Sequence, residues 1–149
     1  MKLPTDWPVT ITLPVQWGEQ DALGHVNNVT FFRWWESARI AYSVKVGLIR
    51  ENQVAGDGTV LVSMKCDFRR QLTFPDTVHI GSRLSRVGNS SFEVEHRLVS
   101  DTQPEVCAEA VSTMVYFDFA TQKPCRIPDD VRAAMRELEG LRAVDGLDG

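Results

Sequence analysis

Asp21, Gly24, His25, Asn27 and Asn28 stand together in the run Trp17-Gly-Glu-Gln-Asp-Ala-Leu-Gly-His-Val-Asn-Asn. The run leaves a stretch that reads as a strand and opens one that reads as a long apolar helix. The first N–H groups of a helix lack intrahelical acceptors and carry the positive end of its dipole. Such a place suits a substrate oxygen that gains negative charge. A carboxylate beside it, here Asp21, can activate water or attack a carbonyl carbon. Alone in a loop, Asp21 would read as an Asx-turn residue; its neighbours favour chemistry. His25 can orient the acid, touch the substrate or cap the helix. Gly24 marks a tight turn or a close approach of backbone to ligand. Asn27 or Asn28 caps the helix, and an oxyanion role for the Asn28 amide is compatible with capping.

The elements that must position these residues follow from periodicity. Val9 to Trp17 alternates as a strand, and Gly18 to Asn27 is a loop. A helix is expected from Asn28 to about Val46, with Gly47 where a C′ glycine belongs. Phe31, Phe32, Trp34, Trp35, Ala38, Ala41, Tyr42 and Val46 cover most of its circumference. Arg33, Glu36, Ser37 and Ser43 leave a narrow polar stripe. A buried helix cradled by a sheet is predicted. Glu51 to Thr59 reads as a loop.

From there the period is two. Val60, Val62, Met64, Cys66 and Phe68 are expected on one face, then Val78, Ile80, Ser82 and Leu84, then Phe92, Val94, His96 and Leu98, then a run from Val106 to Phe119. Pro128 opens a last helix with Val131, Met135 and Leu138 on one face. The tail from Ala143 to Gly149 is expected to fray. The predicted fold is α+β: a curled antiparallel five-stranded sheet around one long central helix, with a short C-terminal helix, as a single domain over 1–149.

Composition is ordinary for a soluble globular chain, with 43% hydrophobic and 24% charged residues and a net charge of −4. The acidic balance argues against nucleic acid as a partner. No stretch is long and apolar enough to span a bilayer, and the N-terminus lacks an apolar signal core. Cys66, Cys107 and Cys125 have neither metal-site nor disulfide-framework spacing, so the cytoplasm is the default compartment.

This order of elements resembles the hotdog-fold acyl thioesterases, in company with Asp21-Ala-Leu-Gly-His-Val-Asn-Asn28, the aromatics after it and Glu36-Ser-Ala-Arg39. The similarity is greatest to the 4-hydroxybenzoyl-CoA thioesterase and acyl-CoA thioester hydrolase branch. It runs from about Val9 to Pro128. It implies hydrolysis of acyl-CoA thioesters, with Asp21 as nucleophile or general base and an amide at Asn28 polarising the carbonyl. It implies no metal and no cofactor, coenzyme A being part of the substrate. It further implies a homodimer or homotetramer built by joining sheets edge to edge.

Departures are informative. Acyl-carrier-protein thioesterases have an asparagine two residues after the aspartate, where Leu23 stands. Branch members often have arginine and aspartate where this chain has Gln16 and Glu19. Hotdog hydratases space aspartate and histidine five apart with an asparagine between; here the spacing is four and the asparagine is missing. A non-catalytic acyl-CoA or acyl-carrier-protein binding module is the second reading, and a hotdog dehydratase, which this spacing disfavours, is the third.

Phe31, Phe32 and Trp35 are expected to line the acyl pocket. Arg69, Arg70, Arg83, Arg86 and Lys65 are either phosphate ligands or a solvated strand face. Ser90, in Gly88-Asn-Ser-Ser91, belongs to a phosphate-binding turn or an ordinary hairpin. Glu36 is a backup acid on the helix, or a partner for Arg33 or Arg39. His96 reads as a satisfied core histidine.

Overall fold

The computed structural model describes residues 7–49 and 57–148. Strand β1 (Val9–Pro14) leads through a single turn of 3₁₀ helix (Trp17–Glu19) to the central helix α1 (Asn28–Lys45). Four long strands follow: β2 (Asp57–Phe68), β3 (Thr77–Val87), β4 (Ser91–Ser100) and β5 (Ala108–Asp118). A two-residue β6 (Lys123–Pro124) and helix α2 (Asp129–Glu139) complete the order. The sheet runs β1-β3-β4-β5-β2, every neighbouring pair antiparallel, with β6 pairing to β5. It curls around α1, as the alternation predicts. The expected loop at Glu51–Thr59 lies largely outside the described residues, and β2 already begins at Asp57.

The inward positions of the three central strands are buried as predicted. Val78, Ile80, Ser82 and Leu84 on β3 meet Phe92, Val94, His96 and Leu98 on β4. Ala108, Ala110, Ser112, Met114 and Tyr116 on β5 continue that surface. Phe31, Trp34, Trp35, Ala38 and Tyr42 pack onto it from α1. Each large side chain so buried contributes roughly 1.5–3 kcal/mol of transfer free energy.

In β2 the expected phase fails at one place. Leu61 pairs with Met114 and Ser63 with Thr113, so Val62 is an extra residue in a bulge. Partners across a ladder share a face, so Leu61, not Val60 or Val62, lies on the Met64 and Cys66 side. One inserted residue reverses a period of two.

The expectation of an all-round buried helix is also corrected. Val29, Phe32, Ile40 and Val44 are 61%, 42%, 43% and 53% exposed. The sheet reaches α1 from one side only, which leaves these residues bare. Ser43, assigned above to the polar stripe, is buried.

A second bulge, between Leu84 and Arg86 of β3, frees backbone groups from the ladder. The α2 carboxylate of Glu139 meets them. Its Oε2 accepts from the Leu84 N–H at 3.1 Å and from the Tyr42 hydroxyl at 2.7 Å. Its Oε1 accepts from Arg142 at 2.7 Å, and Arg142 also donates to the Leu84 carbonyl. Burial first, then the Glu139 charge, pushes the Tyr42 phenol far above its ordinary range.

Over the described residues 143–148 the tail packs back on the end of β3. Val144 is buried, and the Val87 N–H donates to the Asp145 carbonyl at 2.9 Å. β1 covers β3 only as far as Ser82, and the tail takes up unpaired backbone beyond that point. Gly146, at φ +81°, lets this happen: a Cβ there would stand 1.8 Å from the Val87 carbonyl oxygen.

Glu139→Ala strands a buried hydroxyl, a buried N–H and a guanidinium, and the expected loss is about 3–5 kcal/mol in chemical denaturation. Tyr42→Phe removes one bond of the set and is expected to lose about 1–2 kcal/mol. Equal losses in the two variants would contradict the central place given to the carboxylate.

Candidate active site

Three segments meet at one end of the sheet. Residues 17–27 close into a loop through Asp21 N–H to His25 carbonyl (2.8 Å), Gly24 N–H to Asp21 carbonyl (3.0 Å) and Asn27 N–H to Glu19 carbonyl (2.9 Å). Gly24 turns the chain at φ +81°, a conformation glycine adopts without strain. Glu19 Oε1 also accepts from the Gln16 N–H at 2.6 Å, so the two family departures tie to each other. The Val26 N–H donates to the Leu72 carbonyl at 2.8 Å, joining this loop to the segment after β2.

The helix starts as predicted. Asn27 is the N-cap, its Oδ1 accepting from the Val29 N–H at 2.9 Å. Asn28 is the first helical residue, so its N–H is one of those that the helix itself leaves unpaired.

Between the loop, the helix start and the end of β2 lies a cavity of about 440 Å³. Its lining includes Asp21, His25, Asn27, Asn28 and Phe31 on one side and Phe68, Arg69, Arg70 and Gln71 on the other. The acid, the imidazole and the first helical residue therefore share one cavity, as the motif requires. Asp21 Oδ1 accepts from the Leu23 N–H at 2.9 Å. The Asx-turn and the cavity wall are thus the same residue, and the turn fixes where its carboxylate stands. Asp21 is exposed and Trp17 is 73% exposed, so the acid is not buried against that indole within one chain.

The remaining predicted residues divide. Phe31 lines the cavity and packs edge-on to Phe68 at 5.1 Å between ring centroids. Phe32 stands beside it on the exposed flank, 6.3 Å from Phe68. Trp35 lies deeper: fully buried, it stacks on His96 at 5.7 Å and donates to Cys66 Sγ at 3.3 Å.

Arg69 is at the cavity, but its guanidinium already holds Glu109 at 2.7 and 3.1 Å. Arg70 reaches Glu105 only at 3.9 Å. Arg86 and Ser90 sit at the β3–β4 hairpin, the far end of the sheet within one chain. There Arg86 pairs with Glu93 at 3.5 Å, and the Ser90 carbonyl accepts from Tyr116. Glu36 is exposed and pairs with Arg39 at 3.8 Å. Phe68 and Gln71 carried no motif in the sequence; only the fold brings them to the cavity.

His96 is the satisfied core histidine expected. Nδ1 meets Ser82 Oγ at 2.7 Å, and Nε2 meets Ser112 Oγ at 3.0 Å. Burial, assisted by the charge of Arg39, pushes its pKa down to about 3.

Fold and site together define a hotdog-type thioesterase architecture. Residues 15–135 match the model of the Thioesterase-like superfamily, and the chain belongs to that superfamily. The uncharacterised protein YsmA of Bacillus subtilis (strain 168) is 32% identical over 126 residues, covering 77% of this chain and 84% of its own. Long-chain acyl-CoA thioesterase FadM of Escherichia coli (strain K12) is 24% identical over 121 residues, or 79% of this chain and 89% of its own. The thioesterase of Thermus thermophilus solved with coenzyme A and zinc has a TM-score of 0.79 at 27% identity. That match covers 94% of this chain and all of the other.

The neutral His96 ring has a consequence for stability against pH. With the folded pKa near 3 and the ordinary value 6.5, the unfolded chain takes up this proton first as pH falls. Its contribution is complete above pH 6.5 and is lost as pH drops from there toward 3. Denaturation curves of the wild type should therefore show an additional slope of up to about 1.4 kcal/mol per pH unit in that window relative to His96→Gln. Parallel profiles for the two proteins would remove His96 as the source.

Proposed function

We propose that this protein hydrolyses acyl-CoA thioesters to a free acid and coenzyme A. The observation that carries this reading is the single cavity holding the Asp21 carboxylate, His25 and the first residue of α1. The thioester carbonyl oxygen takes the Asn28 N–H, where the helix dipole favours the charge that develops on attack. Asp21 either deprotonates a water that adds to the carbonyl carbon or adds to it directly, forming an anhydride that water then opens. Either way the C–S bond breaks and the thiolate leaves, taking a proton from solvent. His25, on the same wall, supports the acid. The acyl group lies along Phe31 and Phe68, and Arg69 and Arg70 at the rim meet the phosphates of coenzyme A. Arg69 does so by sharing its guanidinium with Glu109. This reading uses no resident cofactor.

The active unit in this proposal is a homodimer, or a homotetramer of two such pairs. β2 is a long edge strand of the sheet; Leu61, Val62 and Phe68 are exposed along it, and at its Phe68 end the bare Phe32 of α1 stands 6.3 Å from Phe68. A free edge of that length next to apolar surface is what a second copy would cover. Covering it brings water-excluding walls to a cavity that one chain leaves open, and it offers a route for Arg86 or Ser90 to reach a neighbouring site.

A panel of aliphatic and aromatic acyl-CoAs, followed by release of free thiol, tests the reaction. Asp21→Asn is expected to lose at least about a hundredfold in kcat, the scale of a general acid–base group. Glu36→Gln, exposed and paired with Arg39, is expected to stay within a few-fold of wild type. Binding of acyl-CoA without turnover by the wild type would favour the binding-module reading. Light scattering should give a mass of two or four chains, and a monomer that retains full activity would refute the dimer.

A further inference from the structure

The wall that carries the arginines is not part of the sheet. After β2 ends at Phe68, residues 69–76 cross the cavity before β3 begins. Backbone bonds hold the start and middle of this crossing. The Arg69 and Arg70 N–H groups both donate to the Cys107 carbonyl at 2.9 and 3.0 Å, and the Leu72 carbonyl accepts from Val26.

Asp76, at its end, accepts from the Val15 N–H at 2.9 Å and from the Thr102 hydroxyl at 2.8 Å, and two further side chains hold what lies between. The Gln103 amide, from the turn between β4 and β5, donates to the Gln71 carbonyl at 2.7 Å. The Gln20 Oε1, next in sequence to Asp21, accepts from the Phe74 N–H at 3.1 Å. One glutamine grips the wall on its outer flank, and the other ties it to the loop that bears the acid. Both are half-buried, and neither lines the cavity.

We propose that Gln103 and Gln20 are positioning residues, which set the distance between the arginine wall and the Asp21 loop and so tune the site to ligands carrying coenzyme A phosphates. The inference rests on the thioesterase reading above for its substrate. Its geometry does not depend on turnover. A segment without ladder bonds adopts the conformation its few tethers impose, so removing one tether widens the range of arginine positions and weakens phosphate contacts. The chemistry at the carbonyl, held by the helix start, is untouched by Gln103.

The test uses coenzyme A itself and two thioesters of one acyl group, on coenzyme A and on N-acetylcysteamine, which has no phosphates. Gln103→Leu is expected to raise the Kd for coenzyme A and the KM for the coenzyme A ester roughly five- to tenfold, the worth of one well-made hydrogen bond. It should leave kcat and the N-acetylcysteamine ester within about twofold, on the same reasoning. Gln103→Lys restores a donor to the Gln71 carbonyl and should recover most of the loss. Gln20→Leu should raise the same Kd, and Gln20→Glu, which keeps the acceptor for Phe74, should recover it.

A lowered melting temperature with unchanged Kd and KM would make the glutamines merely structural and overturn the proposal. So would an equal loss on both esters in Gln103→Leu. A wild type that binds coenzyme A but hydrolyses nothing would sink the thioesterase reading, while a raised Kd in the variants would still uphold the tether. A wild type with no affinity for coenzyme A would sink both.

Discussion

The stack of Trp35 on His96 fixes where the central helix lies, and the site follows from that. His96 stands on β4, the middle strand of the sheet, and its two ring nitrogens are held by Ser82 of β3 and Ser112 of β5. The ring can neither rotate nor withdraw without stranding buried polar atoms. Trp35 lies on that fixed plane, and its N–H reaches Cys66 of β2. One row of side chains thereby locks α1 to four strands. Because α1 is rigid, its axial position and rotation carry through two turns to Asn28. The helix start that borders the cavity is set by a contact well inside the core.

The polar row beneath Trp35 has a cost that the rest of the core must offset. Hydroxyls and an imidazole replace the apolar side chains found above and below them. Each is bonded, and the ring is held neutral by burial. What the row supplies is uniqueness: an apolar layer would let the helix slide, whereas directional bonds admit one register. The same device recurs at the other end of α1. There the Glu139 carboxylate gathers the Tyr42 hydroxyl, the bulged β3 backbone and Arg142, and so fixes α2 against the sheet. The cavity end of the molecule is held differently. Its loops rest on backbone bonds and two glutamine tethers, and its acid and arginines face solvent in one chain. Rigid scaffold and adjustable walls are thus separated along the length of the helix.

The apolar flank of α1 and the edge of β2 follow from the same geometry. A sheet of five strands curls far enough to cover Trp35 and Tyr42 but not Phe32, Ile40 or Val44. The sequence therefore shows a helix that is apolar nearly all round, while the single chain buries only part of it. The excess is a property of the assembly proposed for the chain, not of its own core.

Local pattern determined a good deal. The period of two in β3, β4 and β5, the Asn27 cap and the Gly47 stop are all as read, because each depends on neighbours a few residues away. So does the grouping of Asp21, Gly24, His25 and Asn28, which one turn of chain brings together whatever the remainder does. Tertiary structure decided what depends on distant partners. The bulge at Val62 reverses the outer half of β2, since ladder register is set by β5 and not by β2 itself. The tail from Val144 packs because β1 is too short to cover the end of β3. Phe68 and Gln71 enter the site, and Gln20 and Gln103 bond to its wall from outside the cavity, only when the chain after β2 folds back across the helix start. Arg69, Arg86 and Ser90 read alike as candidate phosphate ligands, yet the fold sends one to the cavity and two to the far hairpin. Residue type sets what a side chain can do, but chemistry acts over a few ångströms, and only the packed chain fixes which groups lie that close.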